Sequence, residues 1–122
     1  MARRIGIIGG GQLGQMLGRA AHALDAECTF LDPAPTPPAA STGRVIGRPF
    51  DDRGALGELA AVSDVITYEF ENVPVEPLQA LAATALVRPS PAALFHAQDR
   101  VREKQLFEHL DIPLPQWHAV QS

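Results

Sequence analysis

The stretch IGIIGGGQLGQML, Ile5 to Leu17, constrains the fold more than any other part of the chain. A short apolar run ends in Gly9, Gly10 and Gly11 and is followed by helix-forming residues. Such a run suits a central parallel strand buried on both faces. Gly9, Gly11 and Gly14 fall on the G-x-G-x-x-G spacing of a dinucleotide-binding turn. Glycines let the chain turn tightly and let a ligand approach the backbone. The N-terminus of the next helix offers free N–H groups and a partial positive charge. An anionic or polar ligand is favoured there, although the same turn can serve only to pack a helix on a strand.

The rest of the chain continues the alternation. Leu13, Met16, Leu17, Ala20, Ala21 and Leu24 recur in steps of three and four, one apolar stripe on a helix. ECTFLD reads as a second strand ending at Asp32. The proline-rich loop Pro33 to Ser41 follows, and its prolines predict that no helix crosses it. RVIG reads as a short strand, and DDRGALGELAAV as a helix capped by Asp51 or Asp52. SDVITYEF is a strand and PVEPLQALAA a helix that confines Pro77 to its first turn. ALVRPS is a further short strand. Ser90 caps PAALFHAQ, with Pro91 at the first helical position, and Asp99 caps RVREKQLFEHL. DIPLPQW ends that helix. The pattern predicts an α/β fold with a mostly parallel, doubly wound sheet, whose ligands bind beyond the carboxyl ends of the strands.

Two segments fall at those ends: the glycine turn, and YEFENVP from Tyr68 to Pro74. Glu69 and Glu71 lie two apart, so a strand would aim both at one face. Adjacent carboxylates at the end of a buried strand carry repulsion and desolvation costs. A substrate amine, a cation, or exposure of a strand that stops at Tyr68 would each offset them. Asn72 adds a donor and an acceptor, and a solvated Asx turn before Pro74 is the plainer alternative. A dinucleotide site also needs an acidic residue roughly twenty positions after the turn, to hold the ribose. Asp32 satisfies that, but Gln12, Gln15 and the proline loop behind Asp32 fit it poorly.

Composition narrows the function. The net charge is −4 and no basic stripe is present, so no nucleic-acid partner is expected. No stretch approaches the ~20 apolar residues of a membrane span, and the start of the chain makes a poor signal peptide. The cytoplasm is the expected compartment. The single Cys28 excludes an intrachain disulfide and a CxxC metal site, and reads as an inert core thiol. His22, His96, His109 and His118 lack metal-ligand spacing, and no metal site is expected. Arg100, Arg102 and Lys104 read as a solvated helix face with charge pairs, or Arg100 or Lys104 as a phosphate contact, which spacing does not separate.

GIIGGGQLGQML, FLDPAPTPPA, YEFENVP, RPSPAAL and QDRVREKQLFEHLDIPLPQW occur in one order along nearly the whole chain. In that combination the sequence resembles the N5-carboxyaminoimidazole ribonucleotide synthetase family of ATP-grasp ligases. The resemblance implies a Rossmann-like pre-ATP-grasp domain over residues 1–98, with residues 99–122 beginning the ATP-grasp domain. It implies a reaction of ATP and bicarbonate with the exocyclic amine of 5-aminoimidazole ribonucleotide, with Mg²⁺ accompanying ATP, and a homodimer. It assigns substrate binding to Gly11, Gln12, Leu13, Glu69 and Asn72, and ATP binding to Arg100. Asp32 becomes a loop-ordering residue, and no NAD is expected.

The family's chain is about three times longer, so the resemblance also implies a fragment. The ATP-grasp lysines, the Mg²⁺ carboxylates and the catalytic residues lie outside it, and the piece is expected to be inactive alone. An NAD(P)-binding oxidoreductase domain and a regulatory nucleotide-binding module are the alternatives.

Overall fold

The computed structural model describes residues 2–121. Four parallel strands form one sheet in the order β3-β2-β1-β4: β1 Arg3–Ile8, β2 Ala26–Leu31, β3 Arg44–Ile46 and β4 Val65–Tyr68. Five α-helices accompany them: α1 Gln12–His22, α2 Arg53–Ala61, α3 Val75–Ala82, α4 Pro91–Ala97 and α5 Arg100–His109. ALVRPS does not form a full strand. It contributes a single parallel bridge, Val87 to Ile66, with Ile66 N–H donating to Leu86 O and Arg88 N–H to Ile66 O.

Strand alternation divides the core in two. Ile8, Leu31, Ile46 and Ile66 point to the face covered by α2, α3 and α4, where they pack with Leu56, Leu59, Leu78 and Leu94. Ile7, Cys28 and Phe30 point to the other face, against Ala21 of α1 and Ala39. The sheet is therefore wound on both sides, and the α/β expectation holds. Cys28 is buried on the α1 face, where desolvation pushes its thiol pKa up, as an inert core thiol requires.

The helix starts lie where the sequence puts them. Asp52, Ser90 and Asp99 are N-caps, each accepting a hydrogen bond from the amide three residues on. Two further expectations fail. The proline-rich loop does carry a helical element, a short 3-10 turn over Pro38–Ser41. Pro38 opens it, where a proline costs no hydrogen bond. More consequentially, the large residues of the α1 apolar stripe are not buried against the sheet. Gly14, Gly18 and Ala21 are its buried residues, whereas Leu13, Met16, Leu17 and Leu24 are exposed.

The reason is a close approach. A Cβ on Gly14 would lie 2.9 Å from Gly9 O, and one on Gly18 would collide with Thr42. Small residues let the helix lie almost on the turn and the 3-10 segment, and any larger face would be held off. The large apolar side chains are left exposed, with Leu17 and Leu24 lining a cleft of about 230 Å³ beside Ile5 and Thr67.

At the amino edge of the sheet, Arg4 is tied to Asp64. Asp64 Oδ2 accepts from Arg4 N–H at 2.8 Å and Oδ1 from the guanidinium at 2.6 Å. These bonds hold the Asp64 carboxyl below its ordinary pKa of 3.8.

Two expectations follow for stability. Gly18→Val lowers the unfolding free energy measured in urea by overpacking, by about 1–3 kcal/mol, while Met16→Gln leaves it within about 0.5 kcal/mol. Equal effects would mean that α1 is turned the other way. Because the folded pKa of Asp64 is depressed, its ionised form contributes above pH 3.8. The contribution fades as pH falls through the folded value. Thermal melts should show Asp64→Asn slightly less stable than wild type at neutral pH, with the gap closing in acid.

Candidate functional site

The strand order places a crevice between β1 and β4. The chain runs from β1 outward through β2 to β3, then crosses back to lay β4 on the other side of β1. Behind β1 the chain continues into α1 on one face, and behind β4 into α3 on the other. Their diverging loops open the crevice at which doubly wound sheets bind ligands.

The two loops of interest are those loops. Gly9 has φ +106°, a left-handed conformation open to glycine. A Cβ there would also run into the side chain of Glu69, with Oε1 only 2.8 Å away. Glu69 therefore occupies the space that Gly9 leaves empty. Its Oε1 accepts from Gly11 N–H at 3.1 Å, and its own amide donates to Ile8 O at 3.1 Å. One residue spans the crevice, extending the β1–β4 pairing by its backbone and capping the glycine turn by its side chain. Glu69 Oε2 has no hydrogen-bond partner among the described residues.

β4 stops at Tyr68, so Glu69 and Glu71 do not share a strand face. Glu69 is half-buried against the turn and Glu71 is exposed, which removes the expected repulsion without a cation. A cleft of about 340 Å³ opens beside Glu69, lined by Tyr68, Glu71, Pro89, Ala93 and Ala97 among others. Partial burial pushes the Tyr68 phenol up in pKa, so it remains a neutral donor at ordinary pH. A larger cleft, about 440 Å³, lies at the amino ends of the strands beside Ser63, Asp64 and Thr84. It is at the wrong end of a parallel sheet for a ligand site, and neither loop reaches it.

Asp32 completes the glycine turn from the other side. Its Oδ2 accepts from Gly10 N–H and its Oδ1 from Ala34 N–H, each at 2.8 Å. Gly10 O in turn accepts from Ala39 N–H at 2.9 Å, and Gln15 Nε2 donates to Pro38 O and Ser41 Oγ. Both Asp32 oxygens are thus engaged in ordering the loops rather than offered to a ribose. Pro37 lies so near Gly10 that a Cβ there would meet it at 3.2 Å. The turn is covered where a dinucleotide would approach it, and Gln15 belongs to that cover. Residue spacing alone did not reveal this use of Gln15.

The remaining candidates are placed as follows. Gly11 is the N-cap of α1, and Gln12 and Leu13 are exposed in its first turn, beside Glu69's partner. Asn72 is exposed in the turn after β4, and no side-chain bond ties it to the glycine loop. Arg100 lies at the start of α5, exposed and bonded to Glu103 at 2.7 Å. That bond, and to a smaller degree the charge of Glu71, raises its already high pKa. The structure therefore joins Gly11 to Glu69 directly and leaves Asn72 and Arg100 exposed, with no bond from either to the glycine turn. No cluster of three or more potential metal ligands occurs among the described residues, and no helix of theirs is long and apolar enough to cross a membrane.

The sheet is parallel and doubly wound, and a carboxylate bridges its switch-point crevice. The model of the ribonucleotide synthetase preATP-grasp domain matches residues 1–98, and the chain belongs to that family. Among its relatives, the N5-carboxyaminoimidazole ribonucleotide synthase of Brucella melitensis is 54% identical over 117 residues, covering 95% of this chain and 32% of the relative. The Pseudomonas aeruginosa enzyme of the same name is 44% identical over 119 residues, covering 98% and 33%. Among solved structures, the ADP complex of an N5-carboxyaminoimidazole ribonucleotide synthetase superposes with a TM-score of 0.89 at 38% identity, over 94% of this chain and 31% of that one. The Aspergillus clavatus synthase, solved with ADP and 5-aminoimidazole ribonucleotide, gives 0.85 at 32% identity, over 94% and 31%. The chain spans about a third of the length of the curated relatives it matches.

Gly9→Ala tests the seat of Glu69. The variant combines a left-handed φ with a collision, and should lose about 2 kcal/mol or more in urea unfolding. Gly9→Ala with Glu69→Ala should recover only part of the loss, since the φ cost stays. Full recovery would mean that strain plays no part.

Proposed function

We propose that this chain is the substrate-recognising N-terminal domain of an ATP-dependent ligase that carboxylates 5-aminoimidazole ribonucleotide with bicarbonate. The observation that carries the reading is Glu69, with one oxygen fastened to Gly11 N–H and the other unpaired in the switch-point crevice. The exocyclic amine of 5-aminoimidazole ribonucleotide is a hydrogen-bond donor, and an ionised carboxylate only accepts. A carboxylate already fixed at one oxygen orients that amine through the other. The relatives' names, and the nucleotide in the Aspergillus clavatus complex, point to the same substrate.

In this reading ATP transfers its terminal phosphoryl group to bicarbonate, giving carboxyphosphate and ADP. The amine nitrogen then attacks the carboxyl carbon, phosphate leaves, and the nitrogen loses a proton. The chain's part is to position the amine, which is where much of the rate of such a step arises. Gly11, Gln12 and Leu13 form the wall beside Glu69, and Asn72 the rim. Arg100 reaches ATP from the start of the next domain, so the boundary falls between residues 98 and 99. Mg²⁺ would screen the ATP phosphates through ligands beyond the residues described. The wider reading includes a cytoplasmic homodimer, with neither nucleic acid nor membrane as partner. The outward apolar face of α1 has the composition a subunit contact needs.

The 122-residue chain should form no ADP from ATP, 5-aminoimidazole ribonucleotide and bicarbonate, while calorimetry detects weak binding of the ribonucleotide. Turnover by the purified chain would sink the fragment reading. NADH fluorescence enhancement would favour an oxidoreductase, and tight binding of a free nucleotide would favour a regulatory module. In the full-length ligase, sedimentation should give twice the chain mass. There Glu69→Ala should lower kcat/KM by about 100-fold, the scale of a misplaced reactant.

A further inference from the structure

Gln98 joins two parts of the molecule that the site does not otherwise connect. It is the C-cap of α4, directly before Asp99, the N-cap of α5. Its Nε2 donates to Glu71 O at 2.9 Å and to Val73 O at 3.1 Å. Both partners are carbonyls, which only accept, so the amino end of the carboxamide must face them. Its two N–H groups are both used, and they bracket Asn72. Glu69 is bonded to Gly11, Phe70 packs on Phe50 with ring centroids 5.1 Å apart, and Val73 is buried in the core, but Glu71 and Asn72 between them are exposed, and the two bonds from Gln98 flank that stretch.

The bracket matters because of what lies at each end. One end is the loop that begins at Glu69 and carries Asn72. The other is the α4–α5 junction, followed at once by Arg100. We propose that Gln98 is a positioning residue that clamps the Glu69–Val73 loop to the α4–α5 junction, holding the loop in the shape that binds the substrate nucleotide. The inference rests on the substrate reading above and adds to it a link between the substrate loop and the segment that opens the ATP-binding part. Gln98 acts through the loop backbone and does not touch the amine. Movement of the α4–α5 junction is thereby transmitted to the loop through two hydrogen bonds. A substrate loop that is held only when the junction is formed ties recognition of the ribonucleotide to the seating of α5.

The test uses the 122-residue chain and three variants. Gln98→Met keeps length and helix preference but has no donor. Gln98→Glu keeps the shape but sets a carboxylate against two carbonyls. Gln98→Lys restores a donor of similar reach. Backbone ¹⁵N order parameters for Glu71 and Asn72 should fall from about 0.85 to below about 0.6 in Gln98→Met and Gln98→Glu, and recover in Gln98→Lys. The dissociation constant for 5-aminoimidazole ribonucleotide should rise about tenfold in the first two and return to within about threefold of wild type in the third, as expected for lost positioning rather than lost contact. An ordered loop in Gln98→Met, or a loosened loop with unchanged affinity, would overturn the proposal. So would a Gln98→Lys variant that behaves like Gln98→Met, because a purely packing role gains nothing from a donor. If Gln98→Glu does not fold, the uncharged Gln98→Met decides. Wild-type chain that binds no ribonucleotide refutes the substrate reading, and the order parameters then decide the clamp by themselves.

Discussion

The hydrogen bond from Gly11 N–H to Glu69 is the constraint on which the site depends. It crosses the gap between β1 and β4, neighbouring parallel strands whose chains leave to α1 on one face and α3 on the other. Without a bridge, the turn behind β1 and the loop behind β4 would each end in solvent, with unpaired backbone groups. Glu69 closes the gap with its amide and its carboxylate together, and Gly9 makes room by having no Cβ. The half-bonded carboxylate is therefore both a structural tie and the most reactive-looking group of the crevice. Loosening the tie would release the acceptor from the geometry that makes it useful.

Asp32 shows the same economy on the opposite side of the turn. In a dinucleotide-binding domain an acidic residue at the end of the second strand faces a ribose. Here both of its oxygens are committed to backbone amides, and the proline-rich segment is drawn down over the glycines. The turn is rigid and partly covered before any ligand arrives. What stays open is the β4 side, with Glu69, Tyr68 and the small residues of α4. A glycine-rich turn whose spacing suits a pyrophosphate is thus closed on that side by its own loops.

The outward face of α1 carries the clearest lesson about reading such chains. A period of three and four marks a helix, but periodicity cannot say which face is inside. Leu13, Met16, Leu17 and Leu24 are the hydrophobic choice, yet the sheet receives Gly14, Gly18 and Ala21. Distance decided this: the helix must sit close to Gly9 and Thr42, and small residues alone fit there. By contrast the helix caps were legible, Ser90 and Asp99 directly and Asp52 as one of two neighbouring aspartates, because a cap is a local bond between a side chain and an amide three residues away. The ends of β4 were less so. Period two suggests that Glu69 and Glu71 share a face, and the strand stops one residue too soon for that.

By itself the sequence determined the alternation of strands and helices, the helix starts, and the two loops at which chemistry would gather. Each of these follows from residues within a few positions of one another, where apolar period, glycine and capping side chains act directly. The resemblance carried by the ordered motifs also determined the family. The tertiary structure alone decided that Asp32 is spent on the loops, that Glu69 keeps one oxygen unpaired, that α1 turns its large side chains outward, and that Gln98 reaches back across about 25 residues to the acidic loop. Those outcomes depend on distances between segments remote in the chain, which no local pattern encodes.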